Sequence, residues 1–390
     1  MSLRIQQTVV YYYAFILLGL TFALLGPTIE VLSGNAGVSI ADASILFTAY
    51  SLGYLGGSLI SGRLYDRMRG HPVVAGCLIL VAVLLALMPS LQSLWLLVIG
   101  QMLLGIVASG IDVGLNALLV WVHGRAVGPF MNALHLMFGM GSLIAPLLIA
   151  AVVGFEWAYW IVAIAMLPAA VLFLRLPSPT HEQHHGDTRG GTFANPLLIF
   201  LVVVFFFLIV AGESGMSSWL FTYARKGGLD EKASALVTAT FWGAFTFGRL
   251  LSIPLAVRIS AARILMVSTV LCIVGTVVMG SFGDLEAAMW SGAALIGLGV
   301  ASLFAMMIAY VETRMVITGV TTSLFLVGAS LGGIVVPLVI GRTIEPFGRG
   351  VVPITLGVCM VAALLVLLAV FRLGRRTIPS RRCRRCRAPC

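Results

Sequence analysis

PLLIFLVVVFFFLIVAGESGMSSWLFTY, residues 196–223, decides what kind of protein this is. A helix crosses the hydrocarbon core of a bilayer with roughly 20 mainly apolar residues. This run exceeds that length and carries one charge, Glu213. A second run, LLVIGQMLLGIVASGIDVGLNALLVWV at residues 96–122, carries Asp112 alone. A carboxylate at membrane depth is costly unless it is paired, protonated or hydrated, so such acids favour a solute or proton pathway over a structural pair. The apolar pattern leaves no Lys or Arg in the middle of a span to neutralise either of them.

The rest of the chain agrees. Hydrophobic residues make up 60% of it and charged residues 10%, against roughly 25% charged in soluble domains. Twelve apolar runs stand at about 9–33, 42–61, 72–89, 94–120, 128–154, 157–175, 196–224, 233–253, 263–281, 286–311, 318–342 and 351–373. The reading is an all-α membrane protein with twelve transmembrane helices in two six-helix bundles. The first run lacks a small-residue cleavage site and is long enough to span, so it is taken as a helix and not a signal peptide.

The net charge of +10 follows from topology and calls for no nucleic-acid partner. With the N-terminus inside, most arginines, including eight near the C-terminus, fall on the cytoplasmic side, while loops near 34–41, 90–93 and 155–156 hold no basic residue. That positive-inside bias places both termini in the cytoplasm. The basic tail is expected to lie against anionic headgroups. Arginine outnumbers lysine 22 to 2, and with the short loops this composition fits a bacterial inner membrane.

The polar stretch 176–195 separates residues 1–175 from 196–373 and is expected to be a cytoplasmic linker; 374–390 is expected to be a disordered basic tail. His181, His184 and His185 in the linker, and Cys383, Cys386 and Cys390 in the tail, read as solvated, since zinc normally takes four ligands and each group lacks them. The halves echo one another. Gly62-Arg63-Leu64 recurs as Gly248-Arg249-Leu250, and Gly26-Pro27 answers to Gly212-Glu213, each 186 residues later. Such a repeat is the trace of a transporter built from two bundles that rock around a midplane site.

Polar residues within the spans keep helical spacing. Gly105, Ser109, Asp112 and Asn116 share one face, which must meet a polar cavity or another helix. Asn132, His135, Gly139, Ser142 and Pro146 form a second stripe. The amides can bridge helices or bind solute; His135 can donate, accept or titrate near neutral pH. After Glu213 come Ser217, then Trp219 and Tyr223 at i, i+4. Those aromatics fit an interfacial belt or a surface on which a sugar stacks, with Trp219, the deeper, favouring the site.

GRLYDRMRGH, residues 62–71, resembles the loop signature of the major facilitator superfamily, with Gly62, Leu64, Asp66 and Arg67 matching and Arg69-Gly70 inverted. Here Gly62 would let helices approach closely, while Arg63, Asp66, Arg67 and the repeat-related Arg249 would serve as a cytoplasmic gate. ESGMSSWLFTY, IDVGLNALLV and PFMNALHLMFGMGSLIAP resemble spans seven, four and five of the fucose–galactose–glucose:proton symporters. Asp for Glu at 112 and His for Gln at 135 bring the chain closer to the sodium-dependent glucose transporter-like branch. The resemblance implies proton coupling through Asp112, His135 and Glu213, and solute binding by Asn116, Asn132, Glu213, Trp219 and Tyr223.

The expected function is therefore secondary active transport of a small polar solute, foremost a sugar, by alternating access coupled to protons. An exporter of drugs or metabolites and a Na⁺-coupled sugar transporter are the alternatives. No nucleophile–base pair, metal triad or phosphate loop stands out, so neither an enzyme, a metal nor a cofactor is expected. The chain is expected to act as a monomer.

Overall fold

The computed structural model describes residues 2–152, 154–179, 195–315 and 319–376. The histidines of the linker and the cysteines of the tail lie outside the described residues. Twelve helices among those described are long and apolar enough to cross a membrane. They are α1 (Leu3–Asn35), the short α2 (Ile40–Ala43) continuing into α3 (Ile45–Arg67), α4 (Gly70–Leu87), α5 (Leu94–His123), α6 (Val127–Ala151), α7 (Phe155–Arg175), α8 (Pro196–Lys226), α9 (Glu231–Arg258), α10 (Ala261–Phe282), α11 (Glu286–Glu312), α12 (Gly319–Phe347) and α13 (Val351–Arg376). The last helix runs to Arg376, through the first residues assigned to the tail.

Helix starts follow side-chain chemistry. Ser39 Oγ accepts from the Asp42 amide to cap α2, Asn195 Oδ1 caps α8 from Leu197 N, and Asp230 Oδ1 caps α9 from Ala233 N at 2.7 Å. Each satisfies an orphan amide of the first turn. Large apolar side chains such as Leu59, Trp95, Ile164 and Val257 are more than half exposed. Facing hydrocarbon, that surface carries no penalty.

The repeat read from sequence returns as packing. In the first half α1 packs on α6, α3 on α5 and α4 on α7; in the second α8 packs on α12, α9 on α11 and α10 on α13. The seams are tight where glycine permits. A Cβ on Gly105 would collide with the carbonyl of Tyr50 in α3, and one on Gly141 with that of Ile16 in α1. Gly62 is not such a position: a Cβ there meets open space, and Gly53 and Gly57 of α3 make the close approach instead. The halves meet mainly through α6 on α9, α3 on α12, α1 on α8 and α2 on α12.

The cross-half bonds cluster at the end that carries loop 36–39. Asp42 pairs with Arg342 at 3.3 Å, and the amide of Ile40 donates to Glu345 Oε1 at 3.0 Å. Deeper in, Thr48 and Ser51 donate to the carbonyls of Ile334 and Gly333. At the opposite, terminus-bearing end, Arg63, Asp66 and Arg67 are exposed and form no ion pair among the described residues. The expected ion-paired closure of that face is therefore absent here, because it is the other end that the halves clamp shut.

Candidate functional site

Asp112 stands on α5 facing α3, on the polar stripe read from the sequence. Asn116, one turn on, donates from Nδ2 to Asp112 Oδ1 at 2.8 Å and to the Asp112 carbonyl at 2.9 Å. The hydroxyl of Tyr54 donates to Oδ2, with Tyr50 packed against Tyr54 at a centroid distance of 6.2 Å. The remaining stripe residues serve the seam: Gly105 lies on Tyr50, and Ser109 lies against Gly57. Two neutral donors thus hold a carboxylate that has no cation within ion-pair contact among the described residues.

His135 does not join it. It packs edge-on against Phe15 at 5.7 Å and lies within electrostatic reach of Arg249, while Asn132 is exposed and bonds to neither partner of the supposed cluster. The single titratable cluster read from α5 and α6 therefore splits in two, because the α6 stripe turns toward α1 and α9.

The second group is centred on Arg249. The sequence placed this residue at the cytoplasmic end of its span, yet α9 runs on to Arg258. Its guanidinium lies 4.5 Å from the ring centroid of Phe245 and is electrostatically coupled to Glu213 of α8. It is thus a half-buried cation that makes no ion-pair contact with the acid among the described residues. Glu213 is half-buried and makes no hydrogen bond to a described residue.

Trp219 and Tyr223 are committed to packing. Trp219 is fully buried, donates from Nε1 to the Pro337 carbonyl at 2.8 Å and meets Phe47 across the halves. Tyr223 donates to the Met279 carbonyl at 2.8 Å, with Arg349 over its ring. In this conformation both rings are buried and neither offers a stacking face to a solute. The interior cavity nearby is lined instead by Phe22, Tyr50, Ser51, Ser214, Ser217 and Gly333.

Sequence reasoning missed Tyr50, Tyr54 and Ser51. The signal was present: all three lie on α3 at i, i+1 and i+4, beside the small residues Gly53 and Gly57. No group of three or more metal-ligating side chains occurs among the described residues.

Two repeat-related helical halves, clamped at one end around interior acids, define a membrane transporter. The chain belongs to the Major Facilitator Superfamily, whose family model matches residues 12–337. It is 26% identical over 372 residues to sodium-dependent glucose transporter 1A of Mus musculus, covering 85% of this chain and 88% of that protein. It is 27% identical over 371 residues to sodium-dependent glucose transporter 1 of Homo sapiens, covering 84% and 71%. Among solved structures, the nucleoside transporter NupG is similar with a TM-score of 0.74 at 15% identity, over 95% of this chain and all, 100%, of that one. A D-xylose-proton symporter is similar with a TM-score of 0.74 at 13% identity, over 97% and 98%. These last two share the fold.

Proposed function

We propose that this transporter moves a sugar by alternating access, coupled to protons at Asp112. The observation that carries the reading is the carboxylate of Asp112, held among the described residues by Tyr54 and Asn116. As an anion at membrane depth without a cation beside it, the group is expensive, and a proton removes that cost. Hydroxyl and amide partners can rearrange around a protonated acid, since a carboxylic acid donates where the carboxylate only accepts.

Coupling needs protonation and solute to favour the same transition. Helix α3 supports such a link. It carries Tyr54 at the proton site, and Ser51 and Thr48, one and two turns away, at the seam with α12. A change at Asp112 that shifts α3 also loosens or tightens the contact between halves. The serines and Tyr50 lining the cavity suit a hydroxylated solute, and the glucose transporters to which the chain is similar point to the same substrate class. The arginine distribution supports cytoplasmic termini, as in an inner or plasma membrane.

Sodium coupling is the second reading, favoured by the names of those relatives. Uptake of radiolabelled D-glucose, D-galactose and L-fucose into proteoliposomes, under an imposed pH or Na⁺ gradient, separates the two. Proton coupling requires accumulation under the pH gradient alone and its loss in Asp112→Asn, with exchange of preloaded solute retained. Accumulation driven only by Na⁺, or by the pH gradient in Asp112→Asn, overturns it.

A further inference from the structure

Arg249 and Glu213 are an acid and a base inside the spans, among the described residues, for which the proton pathway has no use. Arg249 Nε is buried with no hydrogen-bond partner among the described residues. An orphaned buried donor is costly, so it calls for an acceptor. The carboxylate of Glu213 makes no hydrogen bond to any described residue either, although the two charges sense one another. They stand on α8 and α9, which pack together, and form no ion pair among the described residues. Phe245 carries the flat face of the guanidinium, which leaves its N–H edges for other partners.

The geometry points to a solute-binding clamp: we infer that a hydroxyl group, or a vicinal pair of them, bridges Glu213 and Arg249. A hydroxyl is suited to both ends, because it donates to the carboxylate and accepts from the guanidinium at once. An ammonium group would be drawn to Glu213 and repelled by Arg249; a carboxylate would meet the reverse. The clamp thus selects neutral polyols over charged solutes of the same size. Arg249 stands on α9, which packs on α6 across the halves, so an occupied clamp bears on the contact between halves. Proton and solute then occupy opposite halves, Asp112 in the first and the clamp in the second.

This inference rests on the sugar reading above, and the test separates the two. Binding is measured by calorimetry on the purified protein, using whichever of D-glucose, D-galactose and L-fucose binds, together with its monodeoxy analogues. The proteins are the wild type, Arg249→Gln, Arg249→Lys, Glu213→Gln and the double variant Glu213→Gln/Arg249→Gln. The clamp requires that removing one particular hydroxyl weakens wild-type binding by about tenfold or more, the scale of a hydrogen bond to a charged group. The same removal should cost the single variants little, and the double variant should bind no better than either single one. Arg249→Lys keeps the charge and loses the fork, so it should show the same blunted profile where Arg249→Gln does not fold. A double variant that regains wild-type affinity makes the pair a structural one and overturns the clamp, as does an unaltered deoxy profile in the single variants. A wild type that binds none of the three sugars overturns both the clamp and the sugar reading.

Discussion

The Tyr54 hydroxyl donates to the carboxylate of Asp112 across the seam between α3 and α5. The contact joins the acid to a helix that also touches the opposite half through Ser51 and Gly333.

Tyr54→Phe removes that donor while keeping the ring. A hydrogen bond to a charged group contributes about 1.5–3 kcal/mol. Gradient-driven uptake should fall by about tenfold or more on that scale, with equilibrium affinity for solute within about twofold, as Tyr54 belongs to the proton site. Initial rates in proteoliposomes beside calorimetric titrations check this; a full uptake rate would remove Tyr54 from the coupling.

Asp42→Ala should loosen the closed end slightly. Both partners of the Asp42–Arg342 pair are about half exposed, at 49% and 53%, and such pairs contribute roughly 0–1 kcal/mol. Labelling of a cysteine introduced at Ser51, by an impermeant reagent applied at the loop 36–39 end, should accelerate by up to about fivefold on that scale. The charge-reversed pair Asp42→Arg/Arg342→Asp should return the rate toward that of the parent; failure to do so would show that the pair is not what holds the end shut.

Gly105→Ala should cost about 1–3 kcal/mol, because its new methyl would press on the backbone of Tyr50, which cannot rotate away. Gly62→Ala, facing open space, should be neutral or slightly stabilising. Thermal unfolding in detergent compares the two, and equal midpoints would contradict the seam described here.

Trp219→Phe keeps an aromatic ring against Phe47 and loses the bond to the Pro337 carbonyl. The loss should reduce stability by about 0.5–1.5 kcal/mol and leave solute affinity unchanged. A weaker binding isotherm in a stably folded variant would return Trp219 to the solute site.

The spans were legible because apolar length and interior glycine and proline are written locally along the chain. The halves were legible because Gly-Arg-Leu recurs at 62 and 248. Asp112 and Asn116 came together as read, since a helix brings i and i+4 onto one face. What escaped was set by tertiary rotation. The stripe holding His135 has the same spacing whether it faces α5 or α9, and only packing decides. Arg249 was misplaced for a different reason: an arginine after a glycine near the end of an apolar run looks like an interfacial residue, yet α9 continues to Arg258 through Pro254.

Residues just beyond α7 are fastened to the first half. Gln7 donates to the Pro177 carbonyl, while His71 donates from its amide to Ser178 Oγ and from Nδ1 to the Leu176 carbonyl. Among the described residues, the first half therefore carries a strap of its own. A polypeptide interrupted after Pro179 should keep these bonds, and co-expression of residues 1–179 with the remainder, read out by co-purification, checks whether the halves find one another in the bilayer.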